Sequence, residues 1–80
     1  MEAKSVGIDV SKAMLDVDCL PVSCPRQFSN SASAIADLVK WLAGSGVERI
    51  VLEATGGYEV AVASALAAAG LPVVVVNPKR

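Results

Sequence analysis

The sequence predicts an α/β fold with a mixed sheet and the element order β-β-β-α-β-α-β. Three observations lead to this prediction. Apolar and polar residues alternate in the first third of the chain, a helical apolar stripe follows, and two β-branched runs flank a second helix-like segment. Strands joined by short turns pair antiparallel, whereas strands joined by helices pair parallel. Both kinds of pairing are therefore expected in one sheet.

Three short runs near the N-terminus are predicted to form an antiparallel meander. In the second run, Leu15 and Val17 alternate with Asp16 and Asp18, the period of a strand with one buried face. The two aspartates are expected to face solvent, and Pro21 ends the run. The predicted strands are residues 4–9, 13–19 and 24–29, the third being the least clearly marked.

The first helix is predicted over Ala32–Ala43, because apolar residues recur at i, i+3, i+4 and i+7. Those residues are Ile35, Leu38, Val39 and Leu42. Asn30 or Ser31 supplies the N-cap side chain, and Gly44 and Gly46 end the helix.

The remaining elements are strand four at residues 48–53, helix two at 58–69 and strand five at 71–76. Strand four ends in Glu53, and Gly70 stops the second helix. The unbroken β-branched residues of strand five predict a strand buried on both faces.

Composition limits the possible functions. The chain has 80 residues, enough for one small domain, and its 7 basic and 8 acidic residues give no electrostatic footprint for nucleic acid, without excluding it. There is no histidine, which excludes histidine acid–base chemistry and histidine metal ligands. Cys19 and Cys24 are expected to be structural thiols rather than a zinc site. With no membrane span and no signal peptide in the sequence, a cytoplasmic protein is predicted.

Two carboxylates end two predicted parallel strands, Asp9 after strand one and Glu53 after strand four. The carboxyl ends of parallel strands are where ligands usually bind. Two close carboxylates repel unless a cation lies between them, and an all-oxygen site fits Mg²⁺ or Mn²⁺. The alternative remains open that Asp9 caps a turn and that Glu53 caps helix two or faces solvent.

Several residues are candidates for binding a nucleic-acid backbone or base. Glycines before helix two leave N–H groups for a phosphate, although a plain turn would use the same glycines. An aromatic ring after them is placed either to stack on a base or to pack. The candidates are Ser11, Lys12, Thr55, Gly56, Gly57, Tyr58, Lys79 and Arg80.

Three blocks, "GIDVSKAMLDV", "LEATGGYE" and "GLPVVVVNPKR", resemble the N-terminal DEDD (RuvC-like) domain of insertion-sequence transposases related to Piv-type DNA invertases. The resemblance covers nearly the whole chain and is weakest over residues 18–29. It implies a truncated RNase H-like fold, with residues 1–80 as the incomplete N-terminal part of a catalytic domain. It also implies DNA strand cleavage and joining in transposition, with DNA as partner and, for some members, a guide RNA.

The resemblance further implies four metal-binding acidic residues. Asp9 matches the first and Glu53 the second, both with catalytic and metal-binding roles. The other two belong to an Asp-x-x-Asp block beyond residue 80, as does a serine-bearing domain. We therefore expect weak Mg²⁺ binding and no cleavage by these residues alone. We also expect a homo-oligomer formed through an exposed strand-five edge.

Two other readings remain open. The chain is alternatively a non-catalytic assembly or RNA/DNA-binding module with structural carboxylates. It is also compatible with a fragment of an actin-like or sugar-kinase ATPase, although that class places a glycine soon after the aspartate. Here Asp9 is followed by Val10, Ser11 and Lys12.

Overall fold

The computed structural model describes residues 4–53 and 56–77. The predicted α/β class and element order are confirmed. The elements are β1 (Ser5–Val10), β2 (Met14–Leu20), β3 (Arg26–Ser29), α1 (Ala32–Ala43), β4 (Arg49–Glu53), α2 (Val60–Ala68) and β5 (Val73–Val76).

The five strands form one mixed sheet in the order β3-β2-β1-β4-β5. The first three strands pair antiparallel, with Val10 opposite Leu15 at the β1–β2 turn. Strand β1 also pairs parallel with β4, up to Ile8 opposite Leu52, and β4 pairs parallel with β5. Strand β1 therefore lies at the centre, with a neighbour on each side.

Alternation along the strands divides the sheet into two unlike faces. Alternate residues of β1, β2 and β4 are buried in one cluster with side chains from both helices. The intervening residues of these strands are exposed or half-buried, so both helices cover the same face and the other is open. The buried apolar residues are Val6, Ile8, Val10, Leu15, Val17, Cys19, Ile35, Leu38, Leu42, Ile50, Leu52, Val62 and Leu66.

Helix α1 has the predicted bounds because its caps and its apolar stripe agree. The Ser31 hydroxyl accepts a hydrogen bond from the Ala34 N–H at 3.4 Å, which satisfies one of the otherwise unpaired N–H groups of the first turn. Gly44 is the C-cap. At the border of the stripe, Trp41 packs against Phe28 of β3, with ring centroids 5.9 Å apart.

Helix α2 is shorter than predicted at its N-terminal end. Gly56 and Gly57 adopt positive φ angles of 67° and 100°, which breaks the helical backbone. Residues 56–59 form a turn, and the helix starts at Val60.

The prediction that strand five is buried on both faces is wrong. Strand β5 begins at Val73 and lies at an edge of the sheet, where Val74, Val75 and Val76 are 45%, 45% and 38% exposed. An unbroken β-branched run fits a central strand and an uncovered edge strand equally well, so composition alone did not separate them.

Candidate functional site

The open face of the sheet forms a shallow depression of about 680 Å³. Its floor is made by β1, β2 and β4, and the start of β3 closes one side. Residues lining it include Gly7, Asp9, Asp16, Val51 and Glu53. Gly7 has no side chain to fill the middle of this floor, and no atom lies within 4 Å of where a Cβ would stand.

Asp9 and Glu53 lie next to each other at the carboxyl ends of two neighbouring parallel strands. The last paired residues of β1 and β4 are Ile8 and Leu52, and each carboxylate follows directly. Because Ile8 and Leu52 point to the buried face, the next residue on each strand points to the open face. Both carboxylates are exposed, and strands in this arrangement are about 4.8 Å apart.

Asp16 lies beside these two carboxylates, although it was predicted only to face solvent. It stands directly opposite Asp9 in the antiparallel β1–β2 ladder. Its carboxylate accepts a hydrogen bond from the Gln27 side-chain amide at 2.8 Å. Both aspartates are one residue outside the Val10–Leu15 pair that closes the turn, so it is the register of the hairpin that places them side by side.

Asp18 is exposed as predicted, but it is also a hydrogen-bond acceptor for the β2–β3 loop. It accepts from the backbone N–H of Cys24 at 2.9 Å, the N–H of Cys19 at 2.8 Å and the Ser23 hydroxyl at 2.8 Å. These bonds, that from Cys24 most of all, hold the pKa of Asp18 below its usual range. Asp18 is therefore explained by loop structure.

The donor atoms of this face fit a hard divalent cation only in part. Carboxylate oxygens are the ligands that Mg²⁺ and Mn²⁺ prefer, and Mg²⁺ usually keeps several waters beside one or two carboxylates. Within residues 4–53 and 56–77, however, no group of three or more acidic or thiol side chains is arranged to hold a metal ion. The described face offers the pair Asp9 and Glu53, with Asp16 beside it.

The predicted nucleic-acid contacts are divided between loops. The Ser11 hydroxyl donates to the Met14 carbonyl at 3.1 Å and accepts from the Met14 N–H at 3.2 Å, so it holds the β1–β2 turn in which Lys12 is exposed. Thr55, Lys79 and Arg80 lie outside the described residues.

The glycine turn before α2 is already hydrogen-bonded to a carboxylate of the same chain. The Gly57 N–H donates to the Glu59 carboxylate at 3.1 Å, so this amide is not directed at an external phosphate. Gly56 and Tyr58 beside it are exposed, the tyrosine by 48%. The tyrosine ring is therefore accessible for stacking on a base, whereas one backbone N–H that was predicted to bind phosphate already has a partner.

Asn30 connects the two loops, a role that the sequence analysis did not assign. Its side-chain amide donates to the Ser11 carbonyl at 2.9 Å and to the Tyr58 carbonyl at 3.2 Å. Its backbone N–H donates to the Ala13 carbonyl at 2.8 Å. Ser31 is the helix cap, and Asn30 instead fixes the end of β1 relative to the turn before α2.

The two cysteines are thiols, as predicted, and no disulfide joins them. Burial, with a hydrogen bond to Cys24 and the charges of Cys24 and Asp18, raises the pKa of Cys19 to about 11. Since the thiolate is the reactive form, Cys19 is a core side chain rather than a nucleophile.

Comparison with known protein families identifies the wider group. The family model of the DEDD transposases of IS110 type matches residues 6–80, nearly the whole chain. The chain belongs to this transposase family. The resemblance deduced from the three sequence blocks is thereby confirmed, and family membership implies DNA as a partner. No curated protein matches the chain significantly.

The family match favours a transposase over a fragment of an actin-like or sugar-kinase ATPase. Neither helix in the described ranges is long and apolar enough to cross a bilayer.

Proposed function

We propose that this transposase chain forms part of a metal-dependent catalytic domain that cleaves and joins DNA strands during transposition. Asp9 and Glu53 are the residues that would hold Mg²⁺ or Mn²⁺. The observation that supports this most directly is their register, since both follow the last pair of the parallel β1–β4 ladder and face the open side of the sheet. The RNase H-like character of the domain is part of the same proposal.

The bound cation would supply charge stabilisation at the phosphodiester and orientation of the attacking group. The protein's own contribution is a fixed pair of carboxylates on a rigid sheet. Two carboxylates bind Mg²⁺ weakly, because the remaining ligands must be water or groups other than this pair. We therefore expect Asp9 and Glu53 by themselves to be insufficient for DNA cleavage, which needs further ligands on the cation.

Nucleic acid would approach the edge of the sheet at the carboxyl ends of β1 and β4, where a cation held by Asp9 and Glu53 would meet the phosphodiester. Asp9, Asp16 and Glu53 repel phosphates unless a cation is present. Lys12, on the turn after β1, is the exposed cation nearest in sequence to Asp9. Tyr58 offers an accessible ring beside the same edge. Lys79 and Arg80 are proposed as further backbone contacts. A guide RNA as second partner and a cytoplasmic location complete the proposal.

The test is a Mn²⁺ titration of the ¹⁵N-labelled chain, because a paramagnetic ion broadens the amide signals closest to it. We expect broadening to start at Asp9 and Glu53, at millimolar rather than micromolar Mn²⁺. Asp9→Asn and Glu53→Gln should each reduce it, whereas the control Asp37→Asn, on the exposed side of α1, should not. Tight stoichiometric binding would contradict the weak-site expectation, and broadening centred elsewhere would contradict the site itself.

A second candidate is a non-catalytic assembly or nucleic-acid-binding module. One observation favours it: in the described residues, no group of three or more acidic or thiol side chains is arranged to hold a metal ion. The two candidates differ for Asp9→Asn in the full transposase. Lost transposition with folding and assembly intact supports the catalytic role, and unchanged transposition supports the module.

A further inference from the structure

The connection between β2 and β3 contains both cysteines of the chain. The last pair of the β2–β3 ladder is Val17 opposite Arg26. Two residues further along each strand, Cys19 and Cys24 come to facing positions. Residues that face each other in an antiparallel pair have Cα atoms about 4.5–5.5 Å apart. The register of the sheet therefore brings the two cysteines together, although neither has a role in the proposed function.

A single oxygen atom holds the two cysteine backbones together. Asp18 Oδ1 accepts the N–H of Cys19 at 2.8 Å and the N–H of Cys24 at 2.9 Å. Because both bonds end on the same atom, the two backbone nitrogens are at most about 6 Å apart. The Ser23 hydroxyl donates to this oxygen as well, at 2.8 Å. The loop is thus closed by hydrogen bonds while both sulfurs are thiols.

The two cysteine side chains are also in contact. The Cys19 thiol donates to the Cys24 carbonyl at 3.9 Å, and the two side chains are hydrogen-bonded to each other. Cys24 packs against the apolar core to which Cys19 belongs. A disulfide requires Cα atoms about 4.4–6.8 Å apart, a range that includes the separation of facing strand residues. Joining the sulfurs therefore needs rotation of side chains rather than movement of a strand.

Access from solvent differs between the two thiols. Cys19 is 1% exposed, whereas Cys24 is half-buried. A reagent in solution therefore reaches Cys24 first. Burial raises the pKa of Cys19, which protects it from external reagents, but an attack on a neighbouring sulfur needs no access from solvent. An accessible thiol beside a second, resolving thiol is the arrangement of oxidation-sensitive cysteine pairs.

We propose that Cys19 and Cys24 form an oxidation site that closes reversibly to an intramolecular disulfide, with a low-molecular-weight disulfide of the glutathione type as the oxidant. In the first step, the Cys24 thiolate attacks one sulfur of the oxidant. The S–S bond of the oxidant breaks, one thiolate leaves, and a mixed disulfide remains on Cys24. In the second step, Cys19 gives its proton to water, and its thiolate attacks the Cys24 sulfur and releases the second thiolate.

The electrons and protons of this exchange balance. The two protein thiols lose two electrons and two protons, and the oxidant is reduced to two small thiols. The second step is the slower one, because little of Cys19 is thiolate. Asp18 does not react, and it acts as a positioning residue that holds the two cysteines at bonding distance.

The short ring makes the disulfide reversible. A ring closed by residues 19–24 removes little conformational entropy from the unfolded chain, so it stabilises the fold only slightly. Disulfides of this kind are reduced by a thiol pool, and those of cytosolic proteins are usually transient or redox-sensing. The thiols seen in the structure are therefore the reduced member of the pair.

The test is equilibration of the 80-residue chain with rising ratios of oxidised to reduced glutathione, followed by acid quenching and intact mass measurement. We expect a transient adduct with one glutathione and then a monomer about 2 Da lighter than the reduced chain. With two cysteines in the chain, that monomer has a single possible pairing. Cys19→Ser should stop at the adduct, and Cys24→Ser should take up almost no glutathione while folded. Circular dichroism establishes that each variant is folded.

Variants of Asp18 test the positioning role. Asp18→Ala should lower the equilibrium constant for disulfide formation by about tenfold, because the bonds that hold the loop closed are lost. Asp18→Asn keeps an acceptor oxygen and should restore most of the yield. Asp37→Ala, on the exposed side of α1, is the matched control and should leave the constant unchanged.

A comparison in denaturing urea needs no variant at all. The wild-type equilibrium constant should be about tenfold or more higher in the folded chain than in urea, because folding positions the pair. Glutathione adducts without the lighter monomer, disulfide-linked dimers alone, or a yield that neither urea nor Asp18→Ala lowers would overturn the proposal. No metal or DNA enters these measurements, so their failure is separate from failure of the proposed catalytic function.

Discussion

Removing the Asn30 side chain should loosen the candidate site without disturbing the core. The Nδ2 atom donates two hydrogen bonds, at 2.9 Å to the Ser11 carbonyl and at 3.2 Å to the Tyr58 carbonyl. Each such bond contributes about 0.5–1.5 kcal/mol net, and exposed ones lie at the lower end. Asn30→Ala should therefore lower the free energy of unfolding by about 1–2 kcal/mol.

That loss is large for a chain of this length. A domain of this size has a total stability of about 4–12 kcal/mol. With a urea m-value of about 1 kcal/mol/M for a small protein, the unfolding midpoint should fall by about 1–2 M. Urea titration followed by Trp41 fluorescence measures this directly, because Trp41 is the single tryptophan and is half-buried.

The isosteric variant Asn30→Asp separates hydrogen bonding from side-chain size. It keeps the shape but cannot donate to either carbonyl, so it should be destabilised at least as much as Asn30→Ala. Hydrogen exchange should show the extra opening around Ser11 and Tyr58, and not at Leu38 in the centre of the core. If Asn30→Asp matched the wild-type midpoint at high salt, the reasoning about these two bonds would be refuted.

Three further predictions follow from side chains around the core. Stability should fall as pH rises from about 9 toward 11, because the thiol of Cys19 has a pKa near 9.0 in the unfolded chain and about 11 in the folded one. The measurement is the urea unfolding midpoint at several pH values in this range. In Cys19→Ala, the midpoint should change less with pH than in the wild-type chain. Arg26→Ala should cost about 0.5–1 kcal/mol and change the fluorescence of Trp41, whose ring lies 4.7 Å from the guanidinium carbon; unchanged stability would contradict a cation–π contact. Leu66→Ala should cost about 2–5 kcal/mol, because Leu66 is fully buried; a smaller loss would mean that α2 is loosely packed.

Much of the fold was predictable because local patterns and tertiary structure agree. Helix α1 has the predicted bounds, since Ser31, its apolar stripe and Gly44 all favour the same segment. The strand order follows from hairpins and helical crossovers. Strand β5 was misjudged because its exposure depends on what lies beside it, which four identical valines do not encode.

The candidate site was predictable in part, for a similar reason. Asp9 and Glu53 could be paired from two strand ends, but adding Asp16 required the register of the β1–β2 hairpin. The bonds of Asn30 depend on how two distant loops meet, and nothing in the local sequence distinguishes such an asparagine from a helix cap. Likewise, the occupation of the Gly57 N–H by Glu59 depends on side-chain conformation.

The alternation along β1 has a consequence for how this protein can evolve. Val6, Ile8 and Val10 hold the fold, while Gly7 and Asp9, between them, face the open side. Under the proposed function, neighbouring codons are thus under different selection, one set for packing and the other for the cation site. A saturation mutagenesis scan scored separately for abundance and for transposition should show two interleaved patterns, each with a period of two. Lineages could therefore lose or change catalysis through single substitutions on this strand and still keep a stable, expressible domain.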